Sequence, residues 1–202
     1  MKYASLDLET TGLNPSKDQI LMVGCVVEDT EHPEVSVEEL PTFGCYVRHQ
    51  RYEGDAFAIG MNGWIFDIIS GRAENKYLYP IYLGSKDTVT YYPQPSYWAN
   101  YFEVFLNEHF PETDDEWPKI VLAGKNVSKF DYHFLPESLQ SRFHHRMIDP
   151  GSCFIDWSKD YLPSLENLKE DLSVNGSVIH DAVCDARDVI RVLRAGTNNY
   201  LL

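Results

Sequence analysis

Cysteine is scarce in this sequence, and long hydrophobic runs are missing. The four cysteines include no C-x-x-C pair, so neither a zinc site nor a disulfide framework is indicated, and reduced, mostly buried thiols are expected. No apolar run reaches the roughly 18 residues that a membrane span needs. The first residues also lack the apolar segment of a secretion signal. The sequence therefore predicts a cytoplasmic protein with no membrane partner.

Positive charge is also in short supply. The chain has 17 Lys and Arg residues against 31 Asp and Glu residues, which gives a net charge of −14. Because extended binding of nucleic acid depends on cationic contacts to phosphates, this balance argues against a long binding footprint. A short footprint stays open, since acids around bound cations still count as negative and a few terminal nucleotides need no long basic stripe.

Internal repeats, low-complexity tracts and long linkers are missing too, so one domain over residues 1–202 is predicted. Three strands come first, followed by a loop into a short helix; the strands are YASLDL, QILMVGCVVE and TFGCYV, and the helix lies in AFAIGMNGWIFDIISGR. Helices alternate with strands after that: the helices lie in QPSYWANYFEVFLNEHF, SKFDYHFLPESL, LPSLENLKEDL and HDAVCDARDVIRVL, and the strands in KIVLAGKN and RMID. This order predicts an α/β fold on a mixed sheet.

Residues 74–95 depart from this regular pattern. Aromatic and β-branched residues stand on both sides of GSKD, which predicts a β-hairpin insertion. Its aromatic side chains could contact single strands, meet a second subunit in a homodimer, or cover a sheet edge; they are Tyr77, Tyr79, Tyr82, Tyr91 and Tyr92.

Two acids stand one residue apart in the first predicted strand, in the segment SLDLETTGLNP. Side chains alternate across a strand, so Asp7 and Glu9 share one face while Leu6 and Leu8 share the other. Two like charges this close repel each other unless a cation lies between them. The alternative is an exposed strand whose outer face is acidic.

A third acid follows the predicted strand KIVLAGK. Asp131, in the segment NVSKFDYHFL, stands at the end of that strand or in the first turn of the next helix. Ligand groups are common at this place in α/β sheets. Asn126, in the same segment, is then positioned to form hydrogen bonds around the site.

The last helix carries a fourth acid at the border of its apolar stripe. Advancing about 100° per residue places Asp185 at this border and Asp181 and Asp188 further toward solvent. An acid at the edge of a buried face is costly unless it is neutralised. His180 stands about one turn before Asp185 and could approach the same site, although a surface histidine beside an N-cap aspartate is the alternative.

These segments together resemble a known family. LDLETTGLNP, NVSKFDYHFL and HDAVCDARDV are similar, in order and placement, to the three motifs of the DEDDh 3′–5′ exonuclease superfamily, which includes proofreading subunits, ribonuclease T and oligoribonucleases. The resemblance covers the chain from Tyr3 to about Leu193. It implies a ribonuclease H-like fold with a central mixed β-sheet flanked by helices. It also implies four metal ligands and a histidine general base; these are Asp7, Glu9, Asp131, Asp185 and His180.

The resemblance further implies two divalent cations, Mg²⁺ or Mn²⁺, which suit hard oxygen ligands. Asp7 would bridge both ions, Glu9 would orient the attacking water, and a neutral His180 would accept the water's proton. The turn Thr10, Thr11, Gly12 and Leu13 would hold the 3′-terminal nucleotide, unless it is a plain turn. A second stacking wall would come from the segment with Met61, Asn62, Trp64 and Phe66, although residues at such helical spacing are more often core.

The predicted function is a metal-dependent 3′–5′ exonuclease that releases nucleoside 5′-monophosphates from single-stranded ends, with DNA slightly favoured over RNA. An oligoribonuclease-like enzyme acting on very short RNA is the alternative within enzymes. A catalytically silent nuclease fold that serves as a binding module is the alternative from another class. The complete set of four acids and a histidine argues against the silent fold, since a pure binder has no need of all five.

Overall fold

A mixed β-sheet forms the centre of the molecule in the computed structural model, which describes residues 1–73, 97–111 and 120–200. Within these ranges the strand order is β3-β2-β1-β4, with β1 antiparallel to β2, β2 antiparallel to β3, and β1 parallel to β4. The predicted α/β fold with a mixed sheet is confirmed. The strands are β1 (Lys2–Thr10), β2 (Ile20–Asp29), β3 (Thr42–Tyr46) and β4 (Leu122–Ala123).

Helices cover both faces of this sheet. Those named here are α1 (Ala56–Met61), α2 (Gly63–Ile69), α3 (Trp98–His109), α4 (Asp131–Phe134), α5 (Glu137–Gln140), α6 (Pro150–Cys153), α7 (Leu165–Asp171) and α8 (Ala182–Tyr200). The predicted hairpin insertion at 74–95, with the tyrosines from Tyr77 to Tyr92, lies outside the described residues. No helix among the described residues is long and apolar enough to cross a membrane.

The two faces of β1 pack against different helices. Leu6 and Leu8 belong to a buried cluster that includes Phe102 of α3. On the other face, the Ser5 hydroxyl donates a hydrogen bond of 2.8 Å to the carbonyl oxygen of Ala186 in α8. Because side chains alternate along a strand, Asp7 and Glu9 share the face of β1 that carries Ser5. The predicted common face of the two acids is confirmed.

A glycine in β2 lets the first turn of α8 lie directly on the sheet. Gly24 pairs with Asp7 across the β1/β2 ladder. A Cβ atom on Gly24 would overlap the backbone of Ala182 and Val183. The absence of a side chain at this position therefore brings the start of α8 against the strand pair that carries the acids, and Asp185 follows within the same turn of helix.

Ion pairs fix the rest of α8 in place. The Arg194 guanidinium donates two hydrogen bonds, of 2.6 and 2.9 Å, to the buried carboxylate of Glu28 in β2. Asp188 accepts hydrogen bonds from Lys169 of α7 and, at 2.6 Å, from Arg191. Lys169 and Asp188 are 2% and 5% exposed, so both charges are compensated inside the protein.

One acid of α8 and the acid just before this helix differ from the sequence prediction. Asp181 and Asp188 were expected to face solvent, and both are buried. Asp188 is buried because Lys169 of α7 reaches it, a partner that the pattern of α8 alone cannot reveal. Asp181 is buried because its Oδ1 accepts hydrogen bonds of 3.1 Å from the backbone N–H groups of Val183 and Cys184 and so caps the helix.

Three predicted elements are shorter than the sequence pattern indicated. The helix predicted for SKFDYHFLPESL is divided into α4 and α5, because Leu135 precedes Pro136 and takes an extended conformation. The strand predicted for KIVLAGKN has regular pairing only in β4. The segment RMID contributes a single bridge between Ala123 and Ile148 instead of a strand.

No disulfide joins any of the four cysteines. Cys25 and Cys45 are buried in the sheet, and burial raises the pKa of both thiols. Cys153 is exposed and Cys184 is half-buried, so the expectation of mostly buried thiols holds for the two strand residues only.

Candidate active site

A cleft of about 200 Å³ opens where β1 ends. Its walls come from β1 and the turn after it, from α1, and from the loop and first turn that begin α8. No lysine or arginine is among the described residues that line it. The lining residues are Asp7, Leu8, Glu9, Thr10, Gly12, Leu13, Ala58, Met61, Asn62, Phe130, His180 and Asp185.

The acids of β1 stand in an environment that disfavours negative charge. Burial, followed by the charges of Asp131, Glu9 and Asp185, raises the pKa of Asp7 well above its usual range. Burial and the nearby charge of Asp185 raise the pKa of Glu9 to about 8, although a hydrogen bond from Asn62 opposes the shift. Neutral carboxyl groups are therefore favoured here in the absence of a compensating cation.

Asp131 reaches β1 from the first residue of α4. Its Oδ1 accepts a hydrogen bond of 2.9 Å from the backbone N–H of Leu8, the residue between Asp7 and Glu9. Burial raises the pKa of Asp131 to about 7, against the lowering effect of its backbone hydrogen bonds. The bond to Leu8 ties this acid to the strand that carries the first two.

Asp185 completes the carboxylate group from the first turn of α8. It is only 5% exposed, and its Oδ1 has no hydrogen-bond partner among the described residues. Burial, with the charges of Asp188 and Asp181, raises the pKa of Asp185 to about 7. An unpaired buried acceptor is rare in proteins and costs free energy unless a ligand satisfies it.

His180 faces the same cleft from the loop before α8. The residue is exposed, and its backbone takes the left-handed conformation with φ of 53°. One ligand atom each from Glu9, His180 and Asp185 can be chosen so that all three atoms lie within 4.8 Å of one another. The structure therefore brings the predicted histidine and the predicted acids together.

This arrangement fits divalent cations. The pKa values of four acids are raised, three of them in part by neighbouring carboxylates, and one buried carboxylate oxygen lacks a donor within the described part of the chain. Bound cations would relieve the repulsion and satisfy the free oxygen. The residues that could hold them are Asp7, Glu9, Asp131 and Asp185.

The turn after β1 forms one side of the cleft. The Thr10 hydroxyl donates a hydrogen bond of 2.7 Å to the carbonyl oxygen of Gly12. A Cβ atom on Gly12 would overlap the Asp18 carboxylate, which accepts a hydrogen bond from the Asn14 backbone at 2.8 Å and so holds the turn. Leu13 is 82% exposed at the rim, so its apolar surface is available to a ligand.

Thr11 is directed into the protein, unlike its neighbours. Its hydroxyl donates a hydrogen bond of 2.6 Å to the Glu53 carbonyl oxygen and accepts one of 2.9 Å from the Gln19 backbone. Thr11 is fully buried and is not among the residues that line the cleft. Its side chain links the turn to neighbouring loops, which is a structural contribution.

Met61 and Asn62 lie opposite this turn, at the end of α1. Met61 is 40% exposed in the cleft, whereas Asn62 is buried. The Asn62 side-chain nitrogen donates a hydrogen bond of 3.1 Å to the Thr10 carbonyl oxygen, and no described residue donates to its Oδ1. Asn62 therefore braces the strand end and also presents an unused acceptor.

Asn126 lies apart from the cleft. Its side-chain oxygen accepts a hydrogen bond of 3.0 Å from Lys125, and its backbone N–H donates one of 3.0 Å to Asp149. Asp149 also caps α6 by accepting from Gly151 at 2.8 Å. The structure thus uses Asn126 and Asp149 to shape the loop between β4 and α4.

Sequence reasoning missed three lining residues, which are Leu8, Ala58 and Phe130. Ala58 stands three residues before Met61 in α1, so the helical repeat offered a signal for it. Phe130 directly precedes Asp131, and Leu8 lies between the two acids of β1. No pattern in the sequence distinguishes these last two residues from ordinary core residues.

The fold is similar to that of several solved nucleases. E. coli exonuclease I, in a zinc-bound complex with single-stranded DNA, matches with a TM-score of 0.61 and 15% identity over 98% of this chain and 40% of that one. The fold is that of an exonuclease. Exonuclease I from Methylocaldum szegediense matches with a TM-score of 0.59 and 14% identity over 98% of this chain and 40% of that one. Cell-death related nuclease 4 matches with a TM-score of 0.57 and 14% identity over 98% of this chain and 64% of that one.

This exonuclease fold agrees with the resemblance found in the three sequence motifs. The chain spans less than two thirds of the length of each of these nucleases. No family model and no curated protein matches the sequence.

Proposed function

We propose that the protein is a metal-dependent 3′–5′ exonuclease that releases nucleoside 5′-monophosphates from single-stranded ends. The observation that carries the proposal is the meeting of three acids and one histidine in a single cleft, with Asp131 bonded to the strand beside them. These groups come from three distant parts of the chain. Their convergence within an exonuclease fold supports phosphodiester hydrolysis.

Hydrolysis would proceed by attack of a water oxygen on the phosphorus of the terminal phosphodiester. The bond to the 3′ oxygen of the preceding nucleotide breaks, which leaves a 3′-hydroxyl on the shortened strand and a phosphate on the released nucleoside. Divalent cations held by the four carboxylates, Mg²⁺ or Mn²⁺, would activate the water and stabilise the departing oxygen. The neutral His180 imidazole would accept the proton of the attacking water.

The turn after β1 would select the strand end. Leu13 offers exposed apolar surface for the terminal base, and Met61 faces the same cleft from α1. Such a pair can hold a base by stacking without reading its identity. Backbone at Thr10 and Gly12 would come close to the nucleotide and would bind the terminal 3′-hydroxyl there.

The size and charge of the cleft favour a second candidate, an oligoribonuclease-like enzyme that acts on very short RNA. No lysine or arginine stands among the described lining residues, and the cleft holds about 200 Å³. Both features suit a few terminal nucleotides better than a long strand. Rates on DNA and RNA series of two to twenty nucleotides distinguish the two candidates.

The central test measures polarity with 5′-labelled single strands and products with uniformly labelled ones, in the presence of Mg²⁺ or Mn²⁺. Mononucleotides should be released from the 3′ end, and strands blocked at that end should resist. Asp7→Asn should abolish hydrolysis, and His180→Ala should slow it by roughly 10²–10⁴-fold. His145→Ala, at an exposed position outside the cleft, serves as the control and should keep the parent rate. Cutting of circular single strands, or parent-like rates in both site variants, would contradict the proposal.

A further inference from the structure

The loop between β3 and α1 is held against the turn after β1 by a set of hydrogen bonds. The Thr11 carbonyl oxygen accepts a hydrogen bond of 2.7 Å from the backbone N–H of Asp55, and the Thr11 hydroxyl donates one of 2.6 Å to the Glu53 carbonyl oxygen. A Cβ atom on Gly54 would overlap Thr11, so the loop lies directly on the turn. Asp55 is also the N-cap of α1, and the loop therefore sets where this helix begins.

The helix α1 in turn forms one wall of the cleft. Met61 and Asn62 line the cleft from this wall, and Leu13 lines it from the turn after β1. At the end of α1, the Asn62 side chain donates its hydrogen bond of 3.1 Å to the Thr10 carbonyl oxygen. The helix is thus attached to the turn at both ends, and these attachments determine the distance between Met61 and Leu13.

Gln19, the residue before β2, ties the same loop to the sheet through its side-chain amide. Its Oε1 accepts a hydrogen bond of 2.8 Å from the backbone N–H of Glu53, and its Nε2 donates one of 3.1 Å to the Arg51 carbonyl oxygen. These two partners fix the orientation of the amide, because an N–H cannot accept and a carbonyl oxygen cannot donate. The second hydrogen of Nε2 is then available to Nδ1 of His49, which lies 3.2 Å away.

His49 can satisfy its neighbours in one protonation state only. Its Nε2 lies 2.7 Å from the Ile20 carbonyl oxygen and must therefore carry a hydrogen, whereas its Nδ1 faces the Gln19 amide nitrogen and must accept. The neutral Nε2–H tautomer meets both requirements. An imidazolium would place Nδ1–H against the amide hydrogens of Gln19. Turning that amide over would remove its hydrogen bonds to Arg51 and Glu53, so either response loses hydrogen bonds.

We propose that His49 and Gln19 are positioning residues for the strand end, and that the neutral His49 imidazole keeps α1 at the distance from which Met61 and Leu13 hold the terminal base. Protonation of the imidazole would loosen the loop, so binding of the strand end should weaken at acid pH. Neither residue is among those that line the cleft, so the chemical step should not change. The effect on substrate rests on the proposed exonuclease function, whereas the hydrogen-bond arrangement does not.

The groups that face the His49 ring are an amide, a carbonyl and a phenol. They belong to Gln19, Ile20 and Tyr52, whose ring centroid lies 5.4 Å from that of His49. The charged side chains of the two segments that hold the ring are Lys17, Asp18, Arg48, Arg51 and Glu53. Arg51 and Glu53 pair with each other at 3.1 Å, and Asp18 accepts a hydrogen bond from the backbone of Asn14. A change of charge on the ring therefore acts first on its hydrogen bonds.

Nuclear magnetic resonance of the ¹⁵N-labelled full chain tests the protonation state directly. At pH 7.5 the ring nitrogens of His49, assigned by their loss in His49→Gln, should show the Nε2–H tautomer. This measurement needs neither substrate nor metal. A predominant Nδ1–H tautomer, or an imidazolium at pH 7.5, would overturn the proposal.

Binding of a short labelled single strand to the inactive Asp7→Asn variant tests the positioning role. His49→Gln, added to this variant, keeps a donor for the Ile20 carbonyl but cannot be protonated. The loss of affinity between pH 7.5 and pH 5.5 should be about 3- to 10-fold larger with His49 than with His49→Gln, which is the effect of about one hydrogen bond. Equal losses would overturn the proposal.

Two further variants sharpen this comparison. His32→Gln makes the same change at an exposed histidine that lies 3.2 Å from Glu34, outside the cleft, and should keep the full acid loss. Gln19→Glu presents a carboxylate to Nδ1, which can accept from an imidazolium, so the acid loss should disappear. An acid loss in Gln19→Glu as large as that in the parent, or its disappearance in His32→Gln, would contradict the role of the His49 ring.

Hydrolysis rates separate failure of the positioning role from failure of the proposed function. At pH 7.5, His49→Ala should raise KM about 3- to 10-fold with kcat unchanged, and His49→Gln should restore part of the loss. A fall in kcat with KM unchanged would overturn the positioning role. No hydrolysis with Mg²⁺ or Mn²⁺, together with His49-dependent binding of the strand, would refute the exonuclease and leave the positioning role standing. Hydrolysis with KM and binding independent of His49 would do the reverse, and no binding in any variant would refute both.

Discussion

The acids of the cleft differ in how each is held in place. Asp131 accepts a backbone hydrogen bond from β1, and the Asn62 side chain opposes the rise in the pKa of Glu9, whereas one oxygen of Asp185 has no partner in the described ranges. Each pKa is nevertheless raised, because burial outweighs these bonds. The acids are therefore arranged to bind cations. Without bound cations, their burial and mutual repulsion lower the stability of the folded protein.

The raised pKa values predict how stability depends on pH in the metal-free protein. Glu9 has a pKa of about 8 and Asp185 of about 7 when folded, against ordinary values near 4 when unfolded. Between these values the folded state binds more protons, so the free energy of unfolding should fall as pH rises from about 5 to about 8. Thermal melts in buffers across this range should show the fall, and saturating Mg²⁺ should reduce it.

Asp185→Asn should flatten this pH dependence. The variant should be more stable than the parent at pH 8 by at least about 1 kcal/mol, because a one-unit difference in pKa is worth about 1.4 kcal/mol. Asp160→Asn changes an exposed acid outside the cleft and serves as the matched control. A parent whose stability rises with pH, or equal slopes in the parent and in Asp185→Asn, would contradict the electrostatic description.

The residues of the site could be predicted well where a local sequence pattern applied. Alternation in β1 and the motif resemblance located Asp7 and Glu9, and the edge of the apolar stripe located Asp185. Thr11 could not be distinguished from Thr10, because the partners that bury it, Gln19 and Glu53, come from separate loops. Local patterns indicate which face a side chain takes but not which distant group it meets.

At the level of elements, the contact between α8 and β2 sets the depth of the site. Gly24→Ala would place a methyl group against the backbone of Ala182 and Val183. Backbone cannot rotate away as a side chain can, so α8 must shift. Overpacking of this kind costs about 1–3 kcal/mol, and the shift would move Asp185 away from Asp7. We expect lower thermal stability together with a large loss of hydrolytic rate.

Gly60→Ala is the control for this prediction. A Cβ at Gly60, which stands inside α1, would meet no atom of the described residues within 4 Å apart from its own chain neighbours and helix backbone. Alanine is favoured over glycine in a helix, so stability should stay the same or rise by up to about 1 kcal/mol. A Gly24→Ala variant as stable and as active as the parent would show that the position tolerates a side chain.

The order of helices and strands was predicted better than the residues at which they begin and end. The order of strands and helices followed from periodicity, and the capping box of Ser164 and Asn167 begins α7 as its sequence favours. The apolar periodicity predicted one helix over the segment that Pro136 divides into α4 and α5. The burial of Asp188 could not be predicted, because its partner Lys169 belongs to another helix and a helical wheel shows one helix at a time.

For the molecule as a whole, net charge predicts the response to salt. The chain has a net charge of −14, and no lysine or arginine is among the described residues that line the cleft. Because few cationic side chains would contact phosphates, binding would release few counterions from the strand. The affinity for short oligonucleotides should therefore fall less than about 10-fold between 50 and 200 mM salt. Titration of a catalytically inactive Asp7→Asn variant with a labelled oligonucleotide measures the slope. A slope of about −4 or steeper in log affinity against log salt would reveal a cationic surface outside the cleft.

The contact between Ser5 and Ala186 joins residues 181 positions apart, and that between Leu8 and Asp131 joins residues 123 apart. Contacts of such high contact order close large loops and form slowly. During synthesis, β1 emerges from the ribosome long before α8 exists to cover its acids. A growing chain therefore holds an incomplete set of these acids until α8 has docked, and the proposed nuclease activity would begin only after that step.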